Sequence, residues 1–466
     1  MNIITYRGPG MAGGLSNSVG QAWHTCADST DRWWNIGKNT LQCLSAGNDE
    51  AEDLEVIAQE LSEGHYRYCN EFLWPVLHNL PELSIFRFQS NRQYEHFNLV
   101  VANALAEAFK QNQSLQPTCF IHDYHFALLP YFLKQQIDAR SVFFWHIPWP
   151  KQIKQHLIIS QLKNVASGLL YCEAVGFHTN EYAINFMQFV EDNLPEYQCD
   201  WNAMSIADRS SADRSTAVMV APLGIDYESW NSLAQQDTDP SCQFKQMPYV
   251  FSVDRADYTK GVTNRLEAVD YFFERFPRWQ HTMTFIQSCG RTRAGLSTFD
   301  QYWQDCHELQ ARVINNWSTD DWQPLIWLDE SLSVEKLARL YNSASVMLVN
   351  PIRDGLNLTA KEYVACQTSN PGVLVLSPGA GVWDELGNYS IDVNPNDPKA
   401  IAEAINRALS LSPGEKSLRM NLLRAAVQKN SLVAWWFSFK NKLESCSRHK
   451  VIDIRAKRSY ISFAKN

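Results

Sequence analysis

The sequence has no apolar run that approaches 18 residues, the length at which a helix begins to cross a bilayer. Its start, MNIITYRG, is a strand pattern and contains no basic region that leads into an apolar signal core. Hydrophobic residues make up 45% of the chain and charged residues 20%, which excludes the composition of a disordered protein. We therefore expect a folded, cytoplasmic protein that does not enter a membrane.

Paired cysteines are absent as well. The chain has 11 cysteines, an odd number, and none of them forms a CxxC pair. A disulfide framework normally uses an even set of cysteines, and a structural zinc site needs closely spaced ligands. We therefore predict reduced, mostly buried thiols.

Positive charge is in deficit, because 41 Lys and Arg residues face 50 Asp and Glu residues, for a formal net charge of −9. An acidic chain is a poor nonspecific ligand of nucleic acid, so nucleic acid is not expected as a partner. The short basic segment 448–465 is interpreted as a solvated tail.

The chain is long enough for two domains, since a single hydrophobic core stops growing well below 466 residues. Short apolar runs alternate with amphipathic stretches such as 262–276, which predicts doubly wound parallel sheets with helices on both faces. We predict a first domain over 1–230, a second over 231–430, and a C-terminal helix with a basic tail over 431–466. That helix is expected to cross back to the first domain. The polar region 195–216 is expected to be a surface loop.

A glycine loop, GPGMAG, follows the first strand. It satisfies the GxGxxG dinucleotide pattern, but that fingerprint also needs an acid at the end of the second strand, where RWWNI is followed by Gly37 and Lys38. The alternative is a loop whose backbone closely approaches a phosphate, with the guanidinium of Arg7 beside it. This alternative favours a phosphorylated ligand over a nicotinamide or flavin cofactor.

Two cations follow the strand in SVDRADYTKG, residues 252–261. Arg255 and Lys260 lie near one strand end, where unpaired charge is costly, and a pyrophosphate would pair with both side chains. A structural ion pair with Asp257 is the alternative.

The segment PIRDGLNLTAKEYVACQ, residues 351–367, follows another buried strand pattern. Asn357 is a good N-cap, so a helix is expected to begin near Leu358 and to offer its free amides to an anion. Asp354 precedes this helix, and Glu362 is one turn inside it, where a carboxylate can accept hydrogen bonds from a ribose. Solvated loop charges are the alternative, but the combination with the two cations predicts a nucleotide-sugar site.

Several longer segments are specific enough to indicate a family: RGPGMAGGLSNSV, LWPVLH at 73–78, HDYHFALLP at 122–130, FFWHIPWP at 143–150, GFHTNEYAINF at 176–186, APLGID at 221–226, DRADYTKG, RDGLNLTAKEYVACQ, GVLVLSPGAG at 372–381 and VNPND at 393–397. With these segments the chain resembles, almost from end to end, the trehalose-phosphate synthase family of retaining glycosyltransferases. The resemblance implies an α/β fold of the GT-B type, in which two doubly wound Rossmann-like domains face a cleft.

The resemblance also implies roles on the donor side. Arg255 and Lys260 correspond to the pair on the donor diphosphate, Asp354 to the acid that holds the glucose hydroxyls, and His146 to the histidine near the donor sugar. Asp123 corresponds to the acid that faces the acceptor sugar. Further donor-binding positions, with the last as the ribose ligand, are Gly14, Gly355, Leu356, Asn357, Leu358 and Glu362.

On the acceptor side the match is less regular. Arg7, Trp74 and Arg293 correspond to positions around the acceptor phosphate, although Arg291 competes with Arg293 for that role. His65 stands where the family usually has a tyrosine, and the loop after Arg7 is shorter than in bacterial members.

The motif HDYH raises the question of a metal, but His122 and His125 share neither a strand face nor a helix face. We therefore predict no metal ligand and no cofactor other than the co-substrate, a nucleoside diphosphate glucose.

The implied reaction moves glucose, with retention, from a nucleoside diphosphate glucose to a phosphorylated acceptor. Glucose 6-phosphate as the acceptor gives trehalose 6-phosphate, which suggests the synthesis of a compatible solute for osmoprotection. Glycerol 3-phosphate as the acceptor, or a noncatalytic sugar-phosphate sensor, are the alternatives. The donor base and any homo-oligomer stay open, and no phosphatase half is expected because no DxDGT-type motif follows.

Overall fold

A computed structural model describes residues 1–9, 14–48, 50–114, 116–211, 214–236, 247–368 and 371–444, without the side chains of 14–17. The chain divides into two compact units, one of Met1–Ala221 together with the segment that begins at Leu432, and one of Pro222–Ser431. Most of the glycine loop, residues 10–13, and the predicted basic tail lie outside the described residues.

The strands fall into two sheets, one in each unit. The first unit contains β1 (Asn2–Ile4), β2 (Arg32–Gly37), β3 (Thr40–Ser45), β4 (Glu52–Val56), β5 (Thr118–His122), β6 (Arg140–Phe144), β7 (Ala174–Phe177), β8 (Tyr197–Asp200), β9 (Ser205–Asp208) and β10 (Ser215–Val220). The second contains β11 (Tyr249–Arg255), β12 (Thr284–Gly290), β13 (Leu325–Leu328), β14 (Val346–Val349), β15 (Val373–Leu376) and β16 (Ile391–Asp392). The prediction of a loop over 195–216 is therefore wrong for β8 and β9, whose short, half-exposed strands carry little hydrophobic signal.

Helices connect the strands. The first unit has α1 (Gly14–Cys26), α2 (Gln59–Arg67), a π-helical segment (Tyr68–Leu73), α3 (Trp74–Leu77), α4 (Phe88–Gln111), α5 (Leu129–Gln136), α6 (His156–Leu169) and α7 (Asn180–Asn193). The second has α8 (Tyr227–Gln235), α9 (Val262–Arg275), α10 (Ser297–Trp317), α11 (Val334–Ser343), α12 (Leu358–Cys366), α13 (Trp383–Leu386), α14 (Pro398–Leu409) and α15 (Pro413–Lys429). Helix α16, residues 432–444, belongs to the first unit, whereas α8, which the predicted boundary at 230 would cut, belongs to the second.

The order of the strands fixes where each unit can bind a ligand. The second sheet runs β13-β12-β11-β14-β15-β16 and is parallel throughout. The first runs β4-β3-β2-β1-β5-β6-β7-β10-β9-β8, with parallel pairing from β2 to β10 and antiparallel strands at both edges. In such sheets the crevice opens where the chain reverses its direction of winding, which is between β11 and β14 in the second unit and between β1 and β5 in the first. The predicted fold class, two doubly wound α/β domains, is confirmed.

Burial explains why the apolar runs become central strands. Every residue of β6, β14 and β15 is buried, as expected for parallel strands covered by helices on both faces. Within the described residues, no helix combines the length and the apolar character that a bilayer crossing needs.

Candidate active site

The switch point of the second unit brings two of the predicted motifs into contact. Strand β11 leads into a 3₁₀ turn, Tyr258–Lys260, and β14 leads into the loop that carries Asp354. The Nζ atom of Lys260 lies 2.5 Å from Oδ2 of Asp354, although the two residues are 94 positions apart in the chain. Both side chains are nearly buried, at 11% and 13% exposed. A cation and a carboxylate that are both predicted to bind the donor are therefore in direct contact.

The loop that carries Asp354 is held from two sides. The side-chain amide of Asn357 donates to Oδ2 of Asp354 at 3.1 Å, and the amide of Asp354 donates to the carbonyl of Gly379 at 2.8 Å. A Cβ atom on Gly379 would lie 2.4 Å from the carbonyl oxygen of Ile352, and one on Gly381 would lie 2.1 Å from that of Gly355. The glycines of SPGAG are therefore required for the two loops to approach this closely.

Helix α12 begins at Leu358, as predicted from Asn357. The side-chain oxygen of Asn357 accepts hydrogen bonds from the amide of Ala360 at 3.3 Å and from the hydroxyl of Thr359 at 2.7 Å. Asn357 has φ 80° and ψ 89°, a left-handed conformation that asparagine tolerates better than most residues. The amides at Gly355 to Leu358 precede or open this helix, and its positive end favours a negatively charged ligand.

Glu362 lies one turn into α12 and is partly exposed. Its Oε2 accepts a hydrogen bond from the hydroxyl of Tyr341 at 3.1 Å. Burial raises the pKa of Glu362 to about 7, and this effect outweighs the lowering by the Tyr341 hydroxyl. The carboxyl group is therefore poised between its two protonation states near neutral pH.

A second buried carboxylate organises the cations. Oδ2 of Asp257 lies 2.5 Å from a terminal nitrogen of Arg293, and Oδ1 accepts from the amide and the hydroxyl of Thr259. Burial opposes ionisation of Asp257, but the charges of Arg293, Arg255 and Lys260 outweigh burial and hold its pKa below the usual range. Asp257 is thus an anion that anchors a cluster of positive charge.

The two competing arginines differ in their surroundings. Arg293 is nearly buried, stacks over the ring of Phe299 and is fixed on Asp257. Arg291 is half-exposed and pairs with Asp300 at 2.7 Å. Arg293 therefore lies in the cation cluster of the second unit, whereas Arg291 forms a surface ion pair.

Arg265 is a buried residue that the sequence prediction missed. Its Nε donates to Asn350 at 2.7 Å, Nη1 to Gln287 at 2.8 Å, and Nη2 to Asp254 at 2.8 Å and to the carbonyl of Lys260 at 3.4 Å. One side chain thereby joins the ends of β11, β12 and β14. Its position among Val262, Leu266 and Val269 on the apolar face of α9 was the available signal, because a charge on such a face needs buried partners.

The ammonium of Lys361 supports α12 from the interior. It is fully buried, lies 2.7 Å from Oε1 of Glu385 and donates to the carbonyl of Leu223 at 2.9 Å. Glu385 also accepts from the side chain of Asn430 at 2.6 Å. Burial lowers the pKa of Lys361, and the carboxylate of Glu385 opposes that shift.

In the first unit, Asp123 follows β5 at the switch point with β1. Its backbone has φ 71° and ψ 165°, a region that is almost restricted to glycine. Its carboxylate Oδ1 accepts the amide of His146 at 3.3 Å, and its own amide donates to the carbonyl of Phe144 at 2.9 Å. Strain of this kind is concentrated at functional sites, and here it brings together Asp123 and His146, two predicted residues.

His146 lies between two other buried histidines. Its Nε2 is 2.9 Å from Nδ1 of His122, and its Nδ1 is 3.3 Å from Nε2 of His178. Burial lowers the pKa of His146 well below its ordinary value, and lowers that of His122 to about 3. His178 lies in the quoted segment GFHTNEYAINF, but no local pattern there assigns it a role.

The predicted acceptor residues of the first unit lie around the loop that carries Asp123. Trp74 is nearly buried, with its ring centroid 6.0 Å from that of Tyr124. Arg7 is exposed and follows Tyr6, whose ring stacks on His125 at 4.4 Å. Gly14 opens helix α1.

His65, a predicted acceptor residue, packs inside the first unit. It is fully buried, stacks on Phe97 with 3.8 Å between ring centroids, and its Nε2 lies 3.0 Å from the carbonyl oxygen of His125. Burial lowers its pKa to about 4, so the ring is neutral. Because no part of this ring reaches solvent, we leave His65 out of the proposed acceptor site.

Among the described residues, no three His, Cys, Asp or Glu side chains converge in a way that could hold a metal ion. The three buried histidines instead bond to one another in a row.

Comparison with known proteins shows which family this chain matches. Residues 21–445 match the family model of glycosyltransferase family 20. The chain is 32% identical over 394 residues to a bifunctional trehalose-6-phosphate synthase/phosphatase of Thermoproteus tenax, and 29% identical over 431 residues to a UDP-forming α,α-trehalose-phosphate synthase of Dictyostelium discoideum. These alignments cover 82% and 88% of this chain but only 52% and 57% of the relatives, so the chain spans little more than half their length.

Two solved structures share the fold along nearly the whole chain. One is a trehalose-6-phosphate protein from E. coli bound with UDP-2-fluoro glucose, with a TM-score of 0.84 and 26% identity over 95% of this chain and 98% of that one. The other is a UDP-forming α,α-trehalose-phosphate synthase from Burkholderia xenovorans in complex with glucose-6-phosphate, with a TM-score of 0.84 and 25% identity over 95% and 99%. With the two parallel sheets, these neighbours confirm the predicted GT-B fold class.

The ion pair beneath α12 gives a prediction about stability. The substitution Glu385→Leu leaves the ammonium of Lys361 buried without its carboxylate, which should lower the free energy of unfolding by about 3–5 kcal/mol. The double variant Lys361→Met/Glu385→Leu removes both charges and should recover most of that loss. Urea unfolding followed by circular dichroism measures both. Glu330→Ala, which breaks the exposed pair with Lys336, is the control and should cost less than about 1 kcal/mol. Equal losses in the single and double variants would contradict the claim that the unpaired ammonium of Lys361 causes the loss of stability.

Proposed function

Because this chain belongs to glycosyltransferase family 20, we propose that it transfers glucose, with retention, from UDP-glucose to glucose 6-phosphate and so makes trehalose 6-phosphate. The observation that carries the proposal is the contact between Lys260 and Asp354 at the switch point of the second unit, beside the positive end of α12. That arrangement suits a ligand with both a diphosphate and a sugar. The UDP-forming relatives and the neighbour bound with UDP-2-fluoro glucose support uridine as the base.

The donor diphosphate is proposed to bind between the amides at the start of α12 and the cations Arg255 and Lys260. Asp354 accepts hydrogen bonds from the glucose hydroxyls, and Glu362 accepts those of the ribose. Asp257 and Arg265 hold the cation-bearing loop in place without touching the ligand.

The contacts of Asp354 bear on the proposed chemistry. Asp354 already accepts hydrogen bonds from Lys260 and Asn357 on one oxygen, an arrangement that suits a hydrogen-bond acceptor better than a nucleophile. We therefore propose a front-face reaction. The acceptor hydroxyl oxygen bonds to the anomeric carbon as the bond from that carbon to the phosphate oxygen breaks, and the hydroxyl proton passes to the departing diphosphate. Arg255 and Lys260 stabilise the charge that develops there.

The acceptor is proposed to bind in the first unit, with its sugar hydroxyls at Asp123 and its phosphate near Arg7. Glycerol 3-phosphate is the second candidate acceptor, favoured by one observation: His65, in place of the family's tyrosine, is fully buried. A sugar-phosphate sensor is disfavoured, since a sensor needs no cluster of cations placed to stabilise a leaving group.

The deciding experiment incubates the full chain with UDP-, ADP- or GDP-glucose and either glucose 6-phosphate or glycerol 3-phosphate, and measures nucleoside diphosphate release and the product. UDP release with trehalose 6-phosphate as the product is expected. Product only with glycerol 3-phosphate would replace the acceptor, and binding of sugar phosphate without any release would favour the sensor.

Removing the Lys260 ammonium should slow the reaction. The substitution Lys260→Ala deletes one preorganised donor to the leaving phosphate, which typically costs about 3 kcal/mol of barrier, or about 100-fold in kcat. Steady-state rates of UDP release measure the loss. Lys336→Ala, on an exposed helix of the same unit, is the matched control and should retain its rate. Near-normal turnover of Lys260→Ala would refute the assignment.

Donor binding should depend on pH through Glu362. Its free pKa is about 7, and ribose hydroxyls donate to the ionised form, so binding lowers this pKa and requires loss of the proton. Affinity for UDP-glucose, whose diphosphate diester does not titrate in this range, should therefore weaken about tenfold from pH 8 to pH 6. Titration calorimetry measures this dependence. Glu362→Gln should bind more weakly at pH 8 and show a flat profile, and an unchanged slope in that variant would assign the pH dependence elsewhere.

A further inference from the structure

Three histidines from adjacent parallel strands lie in a row in the first unit. His122 ends β5, His146 comes two residues after β6, and His178 comes directly after β7. Register places His122 opposite Phe144 and Phe144 opposite Gly176, so the histidines emerge from one face of the sheet at its carboxyl edge. The row is therefore a product of strand order and register, which no local sequence pattern reveals.

The rings are joined to one another by their nitrogens. Nδ1 of His122 lies 2.9 Å from Nε2 of His146, and Nδ1 of His146 lies 3.3 Å from Nε2 of His178. All three side chains are buried, at 1%, 8% and 4% exposed. Each hydrogen bond needs one protonated and one bare nitrogen, so in three neutral rings the protons all point one way along the row or all point the other way.

The far end of the row lies beneath α16. The ring of His122 is 4.2 Å from that of Phe120 and 6.1 Å from that of Trp435, measured between centroids. Gly176 makes room for this packing, since a Cβ atom there would lie 2.7 Å from Phe439. The environment at this end is aromatic.

Two buried nitrogens at this end have no hydrogen-bond partner among the described residues, Nε2 of His122 and Nε1 of Trp435. The tryptophan nitrogen can only donate. If His122 carried its proton on Nε2, two buried N–H groups would both lack acceptors, which is rare and costly. If His122 carries its proton on Nδ1, its bare Nε2 can accept from a water that in turn accepts from the indole. The chemistry of Trp435 thus selects one direction for the whole row.

We propose that His122, His146 and His178 form a neutral relay in which every ring is protonated on Nδ1, with the bare Nε2 of His122 and the indole N–H of Trp435 bridged by one buried water. We further propose that His122 and His178 are positioning residues for glucosyl transfer. This second part rests on the proposed function, whereas the direction of the relay does not.

The relay changes what His146 can do. Both of its ring nitrogens are used by neighbouring histidines, so the ring holds the backbone in place and does not itself act as a base or a direct ligand of the sugar. Its amide donates to Asp123, whose strained backbone needs such support. His178 therefore acts on the proposed acceptor carboxylate through His146.

The direction of the relay can be measured without any substrate. In the full chain labelled with ¹⁵N-histidine, NMR distinguishes protonated from bare ring nitrogens. A protonated Nδ1 and a bare Nε2 are expected in all three rings at neutral pH. Trp435→Phe removes the indole donor while keeping an aromatic ring, and should produce a mixture of the two directions. A proton on Nε2 of His146 in the unsubstituted protein, or an unchanged spectrum in Trp435→Phe, would overturn the proposed direction.

The positioning role is tested by a pair of substitutions. His178→Gln retains an acceptor close to the place of Nε2, whereas His178→Leu does not. We expect His178→Leu to lower kcat about 10- to 100-fold, as for a displaced catalytic group, with UDP-glucose affinity by calorimetry unchanged, and His178→Gln to recover most of the rate. Equal losses in both variants, with circular dichroism unchanged, would reduce His178 to a packing residue. An unsubstituted protein inactive with every acceptor would refute the proposed function and the positioning role, but the NMR result would still decide the relay.

Discussion

The contact between the Lys260 ammonium and the Asp354 carboxylate is the constraint on which the second unit's site depends. The contact forms only because β11 and β14 are neighbours in the sheet. The loops that carry Lys260 and Asp354, 94 residues apart in the chain, therefore leave the sheet at the same edge. The glycines of SPGAG allow the loop that carries Asp354 to pack closely. Arg265 holds the loop that carries Lys260 by a hydrogen bond to the carbonyl of Lys260. A change in strand order, loop packing or buried charge would separate the cation from the acid.

The charges around this contact point to the kind of ligand. Two pairs beneath the site, Arg265 with Asp254 and Lys361 with Glu385, are balanced and structural. Near them lie the positive charges of Arg255, Lys260 and Arg293, the carboxylates of Asp257 and Asp354, and the positive end of α12. Lys260 is buried whereas Arg255 is exposed, and a diphosphate could accept hydrogen bonds from both cations. The same field keeps Asp257 ionised despite its burial.

Local sequence patterns predicted much of the fold and of the site. Little could be predicted of the contacts between residues that are far apart in the chain. The start of α12 followed from Asn357 because an N-cap acts within three residues. The apolar runs gave the central strands because parallel strands are buried on both faces. By contrast, Arg265 and His178 owe their roles to partners far along the chain, and no single sequence records which strands are neighbours. At His65 a matching position implied a ligand contact, whereas the structure buries the ring completely, so that contact stays a prediction.

Each unit has polar side chains at the switch point of its sheet, but the two sets of side chains differ in chemistry. At its switch point the second unit concentrates fixed positive charge, which suits a departing diphosphate. At its own switch point the first unit holds neutral histidines and the carboxylate of Asp123, whose backbone is strained, and this suits a hydroxyl that must be held in place while it keeps its proton. A basic imidazole there would draw the proton away from the acceptor before the leaving phosphate could take it. Burial of His146 between two other rings prevents this, so the histidine row serves the proposed front-face reaction by remaining neutral.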